Sequence, residues 1–497
     1  MRKRISPIFY KDFYKADHRP QYPAGTELVY SNLCPRSNKY APGQSDKVVV
    51  FGQQYLTKEY LIDRWNEDFF ERDHGEIISE YKSLMDRCLG PDAVDVAHIS
   101  ALHRLGYLPI EVKSLPEGTL ASIGVPVLTI KNTLPEFFWL TNFLETLISN
   151  ILWKPMTSAT TAYQYRKEFE RHAALTGSPK DFIGWQGHDF SMRGMSGIED
   201  ACISGGAHLV SFNGTDTIPA IKWLEEYYNT DQLIGGSVPA TEHSVMCMGG
   251  MEDELGTFKR LITDIYPNGI VSIVSDTWDF WKVMTEYLPA LKHEIIARDG
   301  RVVIRPDSGD PADIICGCTY QPPSTDEFDH GWKRISTNAE AKGAYELLWD
   351  TFGGTINEKG YKVLNPKVGM IYGDSITLER QQDILARLEA KGFAASNLVL
   401  GIGSYTYEYV TRDCYGFAMK ATYGEVNGIG REIFKDPKTD TGMKKSAKGL
   451  LRVKDGVLKD QCTWGEEQTG DLRTIFIDGK LIIDESISEI RERLLNQ

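Results

Sequence analysis

VVIRPDSGD, residues 302–310, is the stretch from which the fold can be worked outward. Its opening β-branched run predicts a short buried strand. Arg305, Pro306 and two aspartates around Ser308-Gly309 follow at once, so the strand ends in a polar loop. The same figure recurs along the chain. HLVSF (208–212) leads into NGTDT, IVSIV (270–274) into SDTWD, VGMIY (368–372) into GDS, and LVL (398–400) into GIGS. The SVPA run near 237, which leads into TEHS, fits the series less securely. Amphipathic segments such as IPAIKWLEEYY and TLERQQDILARLEA lie between most of these runs. Strand-plus-helix units of about thirty residues predict a parallel sheet. Polar groups after six strand ends favour a (β/α) barrel, which brings all its strand ends to one face, over an open sheet with its single crevice.

A chain of 497 residues is too long for one small core. Residues 1–150 are expected to form an N-terminal mixed α/β region and 151–420 the barrel-like domain. The Pro- and Gly-containing stretch near 311–345 is expected to be an insertion, with a helix near 338–350. Residues 421–497 lose the strand–helix rhythm and are expected to form a β-rich tail that packs with the N-terminal region. Residues 110–132 alternate and carry turn residues, which predicts a β-meander; 135–152 has helical spacing of apolar residues.

The net charge of −14 argues against a nucleic-acid coat, which needs a dominant basic surface. No run approaches the roughly 20 apolar residues that span a bilayer, and the apolar part of MRKRISPIFYKD is too short for a secretion signal. The eight cysteines are scattered, and the close pair Cys316 and Cys318 has no second pair to complete a zinc site. A cytoplasmic protein without a membrane partner is expected.

The loops carry a consistent chemistry. Arg305 offers a planar fork of donors for phosphate, Asp307 can accept from a ribose diol, and Ser308-Gly309 lets backbone N–H groups approach an anion. Gly373 and Asp374 repeat that pattern. Gly403 and Ser404 lie in a glycine loop followed by Arg412 and Lys420. HDFSMRG (188–194) holds a stacking face, Phe190, and an anion donor, Arg193. Ser275 and Asp279 sit in the SDTWD loop. Together these suggest a sugar phosphate or a nucleotide. Each also has a plain structural alternative: an ion-paired turn for RPDSGD, a cap on the helix near Ile218 for Asp216, a buried framework role for His243. Glu242 can orient the His243 ring and raise its basicity, and a neutral imidazole beside arginines can accept a phosphoryl group. The basic stretch 431–452, with seven Lys or Arg against three acids, is either a solvated hairpin or a phosphate site.

KDFYKADHRPQYP (11–23), FGQQY (51–55), GYLPIEVKSLPEG (106–118), NTLPEFFWLTNFLET (132–146), HDFSMRG, GAHLVSFNGTDT (206–217), SVPATEHS, VSIVSDTWD (271–279), RPDSGDP, TRD (411–413) and FKDP (434–437) run nearly end to end. In these motifs the chain resembles the type II phosphoribosyltransferases, and among them the nicotinamide phosphoribosyltransferase family. That resemblance implies an irregular α/β barrel joined to a smaller, β-rich domain, acting as a homodimer with shared sites. It implies transfer of phosphoribosyl from phosphoribosyl pyrophosphate to nicotinamide, with Mg²⁺ carried by the diphosphate and ATP hydrolysed through a phosphohistidine at His243. By the same resemblance, Arg193, Arg305 and His243 hold the ATP phosphates. The pyridine ring lies between Phe190 and Tyr14 of the partner subunit, with Arg305 close by. Asp216 accepts the amide NH₂ and repels nicotinate. Asp307, Gly373 and Asp374 hold the ribose. Arg36, Arg412, Lys420 and Lys435 grip the 5′-phosphate and the diphosphate, and Asp12 lies near the metal. The chain departs from the family's glycine run at Gly401-Ile402-Gly403-Ser404-Tyr405, and its 311–345 region is longer. The rivals are a nicotinate phosphoribosyltransferase, which Asp216 opposes, and a non-catalytic nucleotide binder, which has no use for a phosphoryl acceptor at His243.

Overall fold

The computed structural model describes residues 4–230, 232–318, 320–321, 333–334, 337–434 and 447–497. The chain forms two compact units, 1–160 with 222–232 and 410–497, and 161–221 with 233–409.

The second unit carries a six-stranded sheet in the order Gly214–Thr215, Gly187–Asp189, Leu398–Ile402, Val368–Tyr372, Asp299–Arg305, Asn268–Val274. Every neighbouring pair is parallel. Both edges meet one segment, Gly236 to Ala240. Gly236 bridges Gly214, and Ala240 bridges Ser272. Thr215 N–H donates to Gly236 O at 3.0 Å and Ser272 N–H to Pro239 O at 2.9 Å. These bonds close the sheet into an irregular barrel, and SVPA is the seam. Side chains alternate across each strand. Val271, Ile273, Val302, Ile304, Leu398 and Leu400 are essentially fully buried in the unit's main apolar core, each stabilising the fold by about 1.5–3 kcal/mol. Their neighbours Ser272, Arg301, Val303, Arg305, Gly369 and Val399 face a cavity of about 370 Å³. A (β/α) barrel is ordinarily filled by branched side chains; here small residues such as Gly236, Ser237, Ser272 and Gly369 in the lining leave it hollow.

Two strands differ from the sequence expectation. HLVSF is not a strand: the helix Ile198–His208 runs into it, and Leu209, Val210 and Phe212 are buried in the turn that follows. The strand is the two-residue Gly214–Thr215, so Asp216 still stands just past a strand end. Gly187–Asp189 carries no apolar signature, yet it pairs with a neighbour on each side. Within 311–345, Pro311–Cys316 is a helix capped by Asp310, and Tyr320–Gln321 pairs with Lys333–Arg334. The helix expected near 338–350 is broken at Gly343, whose φ is 77°, into Asn338–Lys342 and Ala344–Phe352. Other residues of this region, and Lys435 with most of the basic stretch, lie outside the described residues.

The first unit is built on a seven-stranded sheet in the order Ile429–Glu432, Ala418–Val426, Thr26–Cys34, Leu128–Asn132, Ile110–Ser114, Arg473–Ile477, Lys480–Leu481. Its pairs are antiparallel, and strands from the tail flank those from the N-terminal region. The 110–132 stretch is not a simple meander: Ile110–Ser114 pairs directly with Leu128–Asn132, while Leu120–Ser122 leaves to pair with Lys47–Val49. The helical stretch from 135 starts as short turns, and the long helix is Glu145–Thr176, with Pro155 inside it. No helix of the described residues is long and apolar enough to cross a membrane.

Candidate active site

The barrel cavity is lined by Phe190, Asp216 and Arg305 at the C-terminal ends of strands and by Trp185, Arg301 and Asn397 toward the other end. Arg301 and Arg305 lie on one strand four residues apart, about 13 Å, so the cavity runs along the barrel axis.

Phe190 follows the strand Gly187–Asp189 and is tied by its N–H to Ile402 O at 3.0 Å. Its ring lies against two glycines. A Cβ at Gly373 would come within 2.7 Å of Phe190 Cδ2, and one at Gly401 within 2.2 Å. Only glycine leaves the ring that space, so Gly373, expected at the ribose, also shapes the aromatic floor. The His188 ring stands 4.9 Å from the Phe190 ring, tilted by 57°.

Asp216 is held from two sides. His188 Nε2 lies 2.8 Å from its Oδ1, and Ser237 Oγ donates to the same oxygen at 2.5 Å. Burial pushes the carboxyl up, but the hydrogen bonds from His188 and Ser237, with the charges of His188 and Arg305, outweigh it and leave it below its ordinary value. The group is therefore anionic at neutral pH. The alternative helix-cap role is not what holds this carboxylate. Arg305, the last residue of its strand, donates to Thr241 O, and its buried Nε has no hydrogen-bond partner among the described residues.

Beyond the seam comes His243, the first residue of the helix His243–Gly249. Its ring is 48 % exposed. Nδ1 lies 3.2 Å from Thr277 Oγ1 and Nε2 lies 3.8 Å from Asp276 Oδ1. Asp276 in turn accepts from Asp307 N–H at 2.9 Å and Ser308 O–H at 2.6 Å, which fixes the RPDSGD loop. Glu242, expected to orient the ring, instead accepts from Ser244 Oγ; the carboxylate facing the imidazole is Asp276. Ser275 and Asp279 are used by the framework: Ser275 is fully buried and donates to Ile273 O at 2.6 Å, while Asp279 caps a helical turn through Lys282 N–H at 3.0 Å.

Asp307 and Asp374 belong to an acidic rim. The Tyr372 phenol, which donates to Gly309 O at 2.8 Å, is pushed up first by burial and then by Asp374, Asp276, Asp307 and Asp310. Arg193 is exposed on the turn Met192–Gly194. That turn packs on the glycine loop, since a Cβ at Gly194 would strike Ser404 Oγ at 2.1 Å. Gly403 precedes the short helix Ser404–Tyr407.

In the first unit, Lys420 lies opposite Asn32 in the sheet, Arg36 N–H donates to Tyr415 O at 2.9 Å, and Phe417 N–H donates to Arg412 O at 3.2 Å. The backbone thus gathers Arg36, Arg412 and Lys420 at the start of one strand. Tyr14 is 60 % exposed, and Asp12 accepts from Thr146 Oγ1 at 2.7 Å.

His188, Ser237, Asp276 and Thr277 carry site geometry without having been singled out in the sequence. All four lie inside quoted motifs, but nothing local marks them, because each acts on a side chain brought near by barrel closure.

Comparison with known proteins agrees with this fold. The nicotinate phosphoribosyltransferase (NAPRTase) family profile matches residues 185–475, and that of the nicotinamide phosphoribosyltransferase N-terminal domain matches residues 7–74. A nicotinamide phosphoribosyltransferase of Acinetobacter baylyi is 54% identical over 507 aligned residues, covering 99% of this chain and 98% of the relative. Among solved structures, a nicotinate-nucleotide pyrophosphorylase from Pyrococcus furiosus superposes with a TM-score of 0.58 at 14% identity, covering 100% of this chain and 98% of that one. Human nicotinic acid phosphoribosyltransferase gives 0.56 at 14% identity, covering 98% and 93%. At that identity the structural likeness establishes the fold.

Proposed function

The chain belongs to the nicotinamide phosphoribosyltransferase family, and from that premise we propose that it joins nicotinamide to phosphoribosyl pyrophosphate, releasing diphosphate and forming nicotinamide mononucleotide. The observation that carries the choice of base is the ionised Asp216 on the wall of the cavity. An anion there accepts the amide NH₂ of nicotinamide and repels the carboxylate of nicotinate.

On this reading the pyridine ring lies on Phe190, with Tyr14 of the partner subunit on its other face, so the active form is a homodimer. Aromatic faces suit a flat, electron-poor ring. Asp307, Gly373 and Asp374 receive the ribose. Arg36, Arg412, Lys420 and Lys435 take the 5′-phosphate and diphosphate with Gly403 and Ser404, and Asp12 lies near the metal. The chain positions the ring nitrogen under the anomeric carbon and offsets the charge of the leaving diphosphate. Mg²⁺ supplies further neutralisation of that diphosphate.

ATP is the co-substrate. Arg193 and Arg305 hold its phosphates, and an imidazole nitrogen of His243 takes the γ-phosphoryl group as ADP leaves. The neighbouring Asp276 stabilises the charge that the ring acquires. The reaction is placed in the cytoplasm.

The test mixes purified protein, phosphoribosyl pyrophosphate and Mg²⁺ with nicotinamide or nicotinate, with and without ATP, and follows mononucleotide formation. Product from the amide alone, enhanced by ATP in the wild type and not in His243→Ala, is expected. Preference for nicotinate would overturn the base assignment. An ATP enhancement that survives in His243→Ala would overturn the role of the histidine.

A further inference from the structure

We infer that His188 and Ser237 set the base choice of this site by acting through Asp216, and that Gly214 is what keeps His188 in position to do so. This deepens the reading that Asp216 faces the amide and rests on it.

Three features of the geometry lead there. First, both donors converge on one oxygen. His188 Nε2 and Ser237 Oγ sit 2.8 and 2.5 Å from Asp216 Oδ1, which fills the two lone-pair directions of that atom. Oδ2 receives no hydrogen bond from the described residues and is left for a ligand. The Asp216 side chain is 43 % exposed, so without the two donors it has room to rotate. With them, one oxygen is anchored and the other aimed.

Second, the arrangement fixes a protonation pattern. A carboxylate oxygen only accepts, so the hydrogen lies on His188 Nε2 and on Ser237 Oγ. Both bonds favour the ionised carboxylate against burial, the largest opposing influence on Asp216. Without them burial raises the carboxyl and weakens its preference for the ionised form. The two donors therefore hold Asp216 as an aimed, anionic acceptor toward the base.

Third, His188 is itself placed by the sheet. It pairs in register with Gly214 on one side and with Gly401 on the other. Its ring passes over Gly214 so closely that a Cβ there would stand 2.6 Å from Nδ1 and 3.2 Å from Cγ. Any side chain at 214 pushes the ring off its line to Asp216. Ser237 comes from the seam that closes the barrel, so the three residues of the device come from three neighbouring strands and segments. His188 is a positioning residue, not a catalytic one.

The experiment compares wild type, His188→Leu, His188→Gln, Ser237→Ala and Gly214→Ala. It measures KM for nicotinamide, KM for phosphoribosyl pyrophosphate, and the ratio of kcat/KM for nicotinamide over nicotinate. His188→Leu and Gly214→Ala are expected to raise the nicotinamide KM and lower the ratio by about tenfold or more, with phosphoribosyl pyrophosphate KM within about twofold of wild type. Ser237→Ala should do the same to a smaller extent. His188→Gln keeps an N–H donor and is expected to retain the ratio within about threefold. If His188→Leu does not fold, Gly214→Ala and Ser237→Ala carry the test. A wild type that prefers the amide, with a ratio unchanged in His188→Leu, Gly214→Ala and Ser237→Ala, overturns the inference alone. A parallel loss for both bases and for phosphoribosyl pyrophosphate also overturns it, because that marks a merely structural role. A wild type that prefers nicotinate overturns the underlying assignment of Asp216.

Discussion

The two ends of the site in the second unit are built to different tolerances. At the base end, Asp216 is anchored by bonds of 2.5 and 2.8 Å, and the Phe190 ring fills the space left by two glycines. At His243 the nearest polar partners stand at 3.2 and 3.8 Å. Under the proposed function, the difference follows from what each end would be asked to do. A rigid planar base is best met by a preformed surface whose ordering cost is met on folding. A residue that accepts and then surrenders a phosphoryl group must change partners during the cycle, and tight bonds in one state would oppose the other.

The largest break in this contrast comes from the base end. Asp216→Ala removes a charged acceptor, worth about 1.5–3 kcal/mol for such a hydrogen bond, and should lower kcat/KM for nicotinamide by at least about tenfold. The same variant should narrow the gap between the two bases; an unchanged ratio in initial-rate assays would show that discrimination lies elsewhere. Gly401→Ala is the next largest. Its Cβ would meet Phe190 at 2.2 Å, and overpacking of this kind costs about 1–3 kcal/mol. Here we expect a lower melting temperature together with a raised nicotinamide KM, and a variant with normal values for both would show that the ring can move aside freely.

At the loose end the expected effects are smaller. Asp276→Asn keeps an acceptor for Asp307 N–H and Ser308 O–H but removes the charge facing His243. The ATP-dependent rate should fall about 3- to 10-fold more than the ATP-independent rate, in line with the loss of a partly exposed ionic contact. Equal falls in the two rates would place Asp276 with the loop and not with the histidine. The smallest effect is in pH. Asp216 has a folded-state value below its ordinary one, so its ionised form contributes stability above about pH 3.9. That contribution disappears as pH falls through the depressed value. The melting-temperature difference between wild type and Asp216→Asn should be flat from neutrality to about pH 4 and should shrink below it.

Much of the barrel was legible because Asn268–Val274, Asp299–Arg305, Val368–Tyr372 and Leu398–Ile402 are β-branched runs that end in polar loops. Gly187–Asp189 and Gly214–Thr215 were not, since a strand hydrogen-bonded on both sides needs little propensity of its own. HLVSF misled because a buried helix end and a buried strand look alike over five residues. In the site, Asp216, Phe190, Arg305 and His243 stood out as reactive residues after strand ends. Their partners did not. Asp216 is met by side chains 28 residues before it and 21 after it, and His243 by Asp276 and Thr277, so only the closed barrel defines those pairs. The segment 222–232 belongs to the first unit although it lies amid the barrel sequence. Nothing in its pattern separates it from the helix that leads into it.

The seam at Gly236 to Ala240 has one more consequence. Gly236 is fixed to Gly214 and Ala240 to Ser272; Ser237, within this short span, meets Asp216, and His243, just beyond it, faces Thr277 and Asp276. The span works as a ruler. An extra residue between 237 and 240 cannot be absorbed as loop slack, because either Ser237 leaves Asp216 or the chain slips against Ser272 and carries His243 past Thr277. Homologous enzymes should therefore keep the length of this span even where its side chains other than Ser237 vary.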